Sequence, residues 1–404
     1  MTVFDRLVGQ EDVEAELTAA ATAARRGVGA MGSSMTHSWL FTGPPGSGRS
    51  VAAQCFAAAL QCTSDGVPGC GVCHACTTAM AGTHGDVRQV VPEGLSISVK
   101  EMRAIVQTAA RRPSTGRWQI VVVEDADRLT EGAANALLKV VEEPPDRTVF
   151  LLCAPSVDPQ DISVTLRSRC RHVHLVTPSA DSIAKVLRER DGLDPADARL
   201  AASISGGHVG RARRLATDLN AKVRRKDALD LAVAALRPAT AFAAAEELVR
   251  SADAEAKEMS ASRDEQETEE LRTALGAGGT GKGAAGALRG SAGVLKDLEK
   301  RQKSRATRTG RDALDRALID LAGLYRDALA VAWKSNAAAN HPDMADRAAD
   351  LAARTTPEGL LKCIEAVLEC REAITVNVKP QWAVDAMVAT LGDAFREPFS
   401  HTRG

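Results

Sequence analysis

Four cysteines crowd between residues 62 and 76 of this 404-residue chain. Cys62, Cys70, Cys73 and Cys76 form overlapping C-x-x-C pairs, with a longer first gap that runs through Gly and Pro. Four thiolates at such spacing suit tetrahedral Zn²⁺, whose site is closed to substrate when every ligand comes from the protein. The metal expected here is structural, holding an insertion with too little apolar content to fold by itself. His74 lies among these residues, but four thiolates make a further ligand unnecessary. The remaining cysteines, Cys55, Cys153, Cys170, Cys363 and Cys370, stand in apolar contexts and read as core residues.

A second constellation is Gly43-Pro44-Pro45-Gly46-Ser47-Gly48-Arg49-Ser50, which follows a strand-like run and opens a helix-like one. Gly43, Gly46 and Gly48 let backbone N–H groups converge on phosphate oxygens at a helix N-terminus, and Ser50 offers a hydroxyl to Mg²⁺. ATP or ADP with Mg²⁺ is the expected ligand. Arg49 stands where a P-loop carries lysine; it keeps the charge, but a planar fork does not simply replace a compact ammonium. The run Ile120-Val121-Val122-Val123-Glu124-Asp125-Ala126-Asp127 reads as a buried strand ending in acids, the place of a Walker B segment. The usual order there is Asp then Glu. Having Glu124 before Asp125 lengthens the side chain on the Mg²⁺ side and shortens the one meant for the attacking water. Phosphoryl transfer depends chiefly on positioning and electrostatics, so weak or absent hydrolysis is expected.

Groups of this kind need a sheet to hold them. Up to about residue 175 the runs SWLFT, VRQVV, WQIVVVE, TVFLLCA and RHVHL alternate with helix-period stretches, among them Ser98 to Ala110 and Thr130 to Glu143. Pro144 and Pro145 stop the second of these helices. The pattern predicts an α/β core of P-loop NTPase type with a parallel sheet over residues 1–177, carrying the cysteine insertion at 62–76. A small helical lid over 178–220 and an all-α domain over 221–404 are expected to follow. Aromatic residues make up only 3% of the chain, which with heavy alanine usage favours closely packed helices.

Within the last domain a low-complexity insertion at 251–311 is expected to break any single core. It runs from a Glu-rich part to a flexible linker at Gly276 to Gly293, then to a basic stretch, Lys296 to Arg311, that is either a solvated helix or a phosphate contact. Leu314, Leu318, Leu321, Tyr325, Ala328 and Ala332, and then Leu360, Ile364, Val367 and Leu368, recur at helical spacing and predict buried faces. A net charge of −1 excludes a global positive field, so any nucleic-acid contact must come from a local surface. No run approaches the ~18 apolar residues of a membrane span and no export signal is visible, so a cytoplasmic protein without membrane contact is expected.

Several stretches in fixed order carry a resemblance. They are Leu7-Val8-Gly9-Gln10, the P-loop, the cysteine insertion, Ala134-Asn135-Ala136-Leu137-Leu138-Lys139 running into Glu142-Glu143-Pro144-Pro145, Leu166-Arg167-Ser168-Arg169-Cys170, and Asn377-Val378-Lys379-Pro380. Together they resemble the bacterial clamp-loader family of DNA polymerase III, AAA+ proteins comprising tau/gamma motor subunits and the delta-prime subunit. The resemblance implies an AAA+ core, a lid, and a collar that joins tau/gamma, delta and this chain into a five-membered ring acting on the sliding clamp and primer-template DNA. It also implies that Arg169 is an arginine finger reaching a neighbour's ATP, that Ser156 falls near the γ-phosphate sensor, and that Lys100 and Arg103 face template DNA. Where motor subunits carry a lid arginine, this chain has Gly210, with Arg211 displaced by one position.

A decayed nucleotide site beside a retained finger matches the delta-prime pattern: a subunit that assists ATP-driven clamp loading and hydrolyses little or no ATP itself. A tau/gamma-type motor subunit is the alternative. A non-catalytic, zinc-containing nucleic-acid-binding or scaffold module is the alternative from another class.

Overall fold

The computed structural model describes residues 2–25, 35–274 and 292–396. The chain divides between Ala216 and Thr217 into two compact units.

In the first unit five strands pair in parallel: β1 (Ser38–Thr42), β2 (Val87–Val90), β3 (Gln119–Val123), β4 (Thr148–Ala154) and β5 (Arg171–His174). Their order is β2-β3-β4-β1-β5, and each lies within one of the five runs read as strands. Every residue of β1, β3 and β4 is buried, whereas the edge strands β2 and β5 are buried only in part. Successive side chains alternate between faces. Trp39 and Phe41 join a core with Leu17 of α1 (Glu11–Arg25) and Phe56 of α2 (Arg49–Gln61). On the other face Leu40, Phe150 and Leu152 join Met102 and Ile105 of α4 (Val99–Ala109) and Leu137 of α5 (Glu131–Glu142). Between α2 and α4 lies the short α3 (His74–Met80). Ser98 and Thr130 cap α4 and α5, their hydroxyls accepting from the N–H groups of Glu101 and Ala133. This is a parallel α/β core with helices on both faces of the sheet.

After α6 (Val164–Arg167) and β5, the helices α7 (Ala180–Glu189), α8 (Pro195–Ser203) and α9 (Val209–Thr217) form a small cluster around Ile183, Leu187, Ala201 and Ala212. Gln10 bridges the segment between β5 and α7 to Ser47. Its buried amide donates to Val176 O at 2.6 Å and Ser47 O at 3.3 Å, and its Oε1 accepts from Val176 N at 3.3 Å.

Asp86, next to the start of β2, organises the loop entering β3. Its buried carboxylate accepts from the N–H and hydroxyl of Ser114, the N–H and hydroxyl of Thr115, and the N–H of Gly116, at 2.6–2.8 Å. Burial alone would raise this carboxyl, but the three backbone donors outweigh it and hold Asp86 well below the usual carboxylate range. Asp86→Asn is expected to cost at least about 3 kcal/mol in urea unfolding, because an amide turns a donor toward donors. A depressed folded value means stability that is present above an unfolded value near ~4 and lost as pH falls below it. The acid limb of the stability profile should therefore flatten in the variant.

The second unit contains α10 (Leu219–Ala234), α11 (Pro238–Ala274), α12 (Ala292–Ala332), α13 (Ala345–Arg354), α14 (Pro357–Thr375) and α15 (Pro380–Arg396). No strand occurs among its described residues. Leu314, Leu318, Leu321, Tyr325 and Ala328 are buried, as their spacing predicts, and Ala332 packs at the margin of the core. On α14 the predicted face needs correction, because Leu368 is exposed. Leu360, Cys363, Val367, Cys370 and Ile374 make the buried face, so both cysteines of this unit are core residues.

The insertion at 251–311 does not break the core. Its Glu-rich and basic parts are continuations of α11 and α12, which pack antiparallel and share the core through Ala252 and Ala313. The linker expected at Gly276 to Gly293 lies, up to residue 291, outside the described residues. Among the described residues no helix is long and apolar enough to cross a membrane.

Candidate functional site

The P-loop turn leaves β1 at the carboxyl edge of the sheet and enters α2. A Cβ on Gly43 would stand 2.5 Å from Leu175 O, so no side chain fits there. Gly46, at φ +90°, lies against His208: a Cβ would come within 2.8 Å of that residue's own Cβ. Gly48, at φ +91°, is the N-cap of α2, with nothing within 4 Å of where a Cβ would sit. The start of this thirteen-residue helix lines a cleft, and the helix dipole favours an anion there. Ser47 Oγ and Arg49 Nη1, both buried, have no hydrogen-bond partner among the described residues. Such atoms fit an anionic ligand.

Acids follow β3 as Glu124, Asp125 and Asp127. Asp125 sits in the left-handed region at φ 50°, a conformation that aspartate tolerates. Asp127 is raised by burial and by the Asp125 charge, with Arg49 opposing, and its buried Oδ1 lacks a hydrogen-bond partner among the described residues. Cys153, at the end of β4, is pushed up by burial, with Glu124 and Asp125 adding and Arg49 and Ser50 opposing. Arg49, Ser50, Glu124 and Asp125 thus all act on one thiol. Asp127 completes the group, and its place two residues after Asp125 was the available signal.

Beside this point lies a cleft of about 630 Å³. Leu7, Val8, Pro178 and Val186 form an apolar part, and Gly46 to Val51 form the phosphate part. Arg6, Arg49, Arg190 and Arg213 line it, with no carboxylate among the lining residues. Gly210 lines the cleft and Arg211 does not. Two arginines of the small helical cluster do so, Arg190 and Arg213, the latter one helical turn beyond Gly210 on α9 and paired to Asp191 at 2.6 Å. Neither Arg213 nor Arg190 belongs to a motif, although the three-residue step from Gly210 marks Arg213.

Ser156 is turned elsewhere. Its hydroxyl donates to Asp161 at 2.6 Å and accepts from Asp158 N at 2.9 Å, although Pro155 O next to it accepts from Gly43 N.

The Sγ atoms of Cys62, Cys70, Cys73 and Cys76 lie within 4.8 Å of one another, so the four could hold a metal ion. Cys62 caps the C-terminus of α2 and Cys73 the N-terminus of α3, where its sulfur accepts from Cys76 N at 3.4 Å. Burial works to raise the Cys73 thiol, but N–H donors of Thr63 and Cys76 outweigh it and hold it at about 6. Cys76 is raised by burial. The whole of α2, about 20 Å at 1.5 Å per residue, separates this cluster from the P-loop, which fits support rather than chemistry.

Arg169 does not line the cleft. It follows α6, its guanidinium pairs with Glu142 at 2.6 Å and donates to Thr165 O at 2.9 Å, and its side chain is 37% exposed. Lys100 and Arg103 are exposed on α4, away from buried Met102 and Ile105.

Residues 30–179 match the sequence profile of a family described as DNA polymerase III, delta subunit. The chain is 35% identical over 183 residues to the delta' subunit of DNA polymerase III from Escherichia coli, covering 44% of this chain and 54% of that protein. It is 31% identical over 171 residues to the delta' subunit of Bacillus subtilis, covering 42% and 51%. With the gamma/tau subunit of Mycobacterium tuberculosis it shares 32% identity over 171 residues, covering 42% and 28%. The chain thus spans about half the length of these delta' relatives and under a third of gamma/tau. Among solved structures, a gamma-subunit-related protein of Thermotoga maritima aligns over 94% of this chain and 100% of its own at 14% identity and TM-score 0.44. The RuvB Holliday junction branch migration motor of Thermotoga maritima aligns over 56% and 64% at 19% identity and TM-score 0.37.

Proposed function

We propose that the chain, whose residues 30–179 match a DNA polymerase III delta-subunit family and which is 35% identical over 183 residues to a delta' subunit, is a cytoplasmic clamp-loader subunit of the delta-prime type. In this role it joins tau/gamma and delta in a five-membered ring that places the sliding clamp on primer-template DNA. Helices α7–α9 serve as the lid and the second unit as the collar. Four cysteines hold a structural Zn²⁺, and Lys100 and Arg103 face DNA. The cleft holds ADP or ATP with Mg²⁺: Gly43, Gly46 and Gly48 shape the phosphate turn, Ser50 and Glu124 stand on the metal side, and Asp125 stands where the water would be polarised. Ser156 is assigned only to the loop beside the phosphate turn.

One observation carries the non-motor reading. Arg169 is exposed outside the chain's own cleft, while Arg49, the Glu124-Asp125 order and Gly210 each depart from a working ATPase at that cleft. An arginine so placed serves a neighbour's phosphate rather than its own. The intact shape of the cleft and its buried orphan donors favour the second reading, a tau/gamma-type motor.

Turnover separates the two. The isolated chain is expected to bind ADP, measured by fluorescence of a labelled nucleotide, more weakly as Ser50→Ala, and to show no steady ATP turnover above background. Turnover that Ser50→Ala abolishes would instead establish the motor reading.

A further inference from the structure

The α11/α12 hairpin runs on past the shared core residues Ala252 and Ala313 for roughly 30 Å at 1.5 Å per residue. Contacts between the arms brace it. Arg305 pairs with Asp264 and Glu267 and holds the Glu267 carboxyl down to about 2, while Gln302 donates to Asp264 O and to Thr268. Nearer the core Arg316 pairs with Glu255 at 3.0 Å. Arginine is used here for bidentate pairs that face the other arm.

Lysine is used differently. Lys296, Lys300 and Lys303 are all exposed, and none has a carboxylate partner among the described residues. At roughly 100° per residue they fall within a stripe about 60° wide, roughly opposite the face carrying Leu298, Gln302 and Arg305. Thr307 extends the stripe, and Glu299 flanks it. On the other arm Glu265, Glu269 and Glu270 are exposed, so a braced rod carries acid on one arm and an unpaired cationic edge on the other.

We propose that Lys296, Lys300 and Lys303 form a sequence-independent contact for the phosphate backbone of duplex nucleic acid. The stripe has no aromatic or large apolar residue. Protein interfaces draw most of their energy from such anchors, whereas a phosphate backbone needs only charge. Three flexible ammonium groups along about 10 Å of helix meet several phosphates, since a duplex presents one per ~1.7 Å of axis. This contact is independent of whatever the nucleotide cleft holds.

The test is duplex DNA binding by the full chain, read by fluorescence anisotropy across a salt series, for the wild type and the triple variant Lys296→Gln, Lys300→Gln, Lys303→Gln. Glutamine keeps helix propensity, so melting should be unchanged. Three lost phosphate contacts should make the log–log salt slope shallower by about 2.7 and weaken binding at low salt. A wild-type chain that binds no duplex at low salt, or a variant with the same affinity and slope, overturns the proposal. So does a variant that keeps duplex binding but assembles less well with tau/gamma and delta, because the edge is then a protein contact.

Discussion

Cys73→Ser should lower the metal content from one zinc per chain to near zero and expose residues 62–80 to proteolysis. The substitution isolates the metal from the local fold. Cys73 caps α3 by accepting from Cys76 N, and serine is itself a preferred N-cap, so helix initiation survives while a thiolate is lost. Structural zinc contributes about 10–16 kcal/mol of apparent binding energy in small zinc-folded peptides. Here Cys62 and Cys76 are also buried in the main core, so the loss should fall on the insertion and lower the melting temperature without unfolding the sheet. Freshly reduced wild-type protein without zinc, or a Cys73→Ser variant with the same zinc content, would contradict the assignment.

Arg169→Ala should cut DNA- and clamp-stimulated ATP hydrolysis in the assembled ring while leaving this chain's stability almost untouched. An arginine finger is worth about 10³–10⁵ in turnover at its site, and other sites in the ring dilute the loss that is observed. The Arg169–Glu142 pair is exposed, with side chains at 37% and 45%, and such pairs contribute about 0–1 kcal/mol. Glu142→Gln separates the two roles, since it removes the pair and keeps the guanidinium. Normal turnover in Glu142→Gln with a large loss in Arg169→Ala is expected. Equal turnover in Arg169→Ala and wild-type rings would reduce Arg169 to a surface residue.

Much of the first unit was legible because its signals are local. TVFLLCA could only be a buried strand, being apolar on both faces and bounded by the turn before Thr148 and by Pro155, and β4 occupies those seven residues. The helix-period stretches beginning at Ser98 and Thr130 became α4 and α5, and each of those residues caps its helix by accepting the N–H three residues on. What stayed hidden depends on contacts distant in sequence. Arg190 and Arg213 reach the cleft only because α7 and α9 fold back onto the P-loop, where His208 meets Gly46. Ser156 has a plausible position but a hydroxyl committed to Asp161, which spacing cannot reveal. Composition misled at 251–311, where clustered charge suggests a broken core; Arg305 turns those charges into braces between two continuous helices. On α14, Val367 and Leu368 both satisfy helical spacing from Leu360 and Ile364, and only packing against the other helices selects Val367.

The central claim, a clamp-loader subunit that completes a neighbour's ATP site without being a motor, is tested most directly by ATP turnover with clamp and primed DNA present. Turnover is measured for this chain alone, for tau/gamma with delta, and for all of them together. The non-motor reading predicts background turnover from the chain alone and a rise above the tau/gamma and delta value when it is added. Turnover by the chain alone, or no change on its addition, would contradict it.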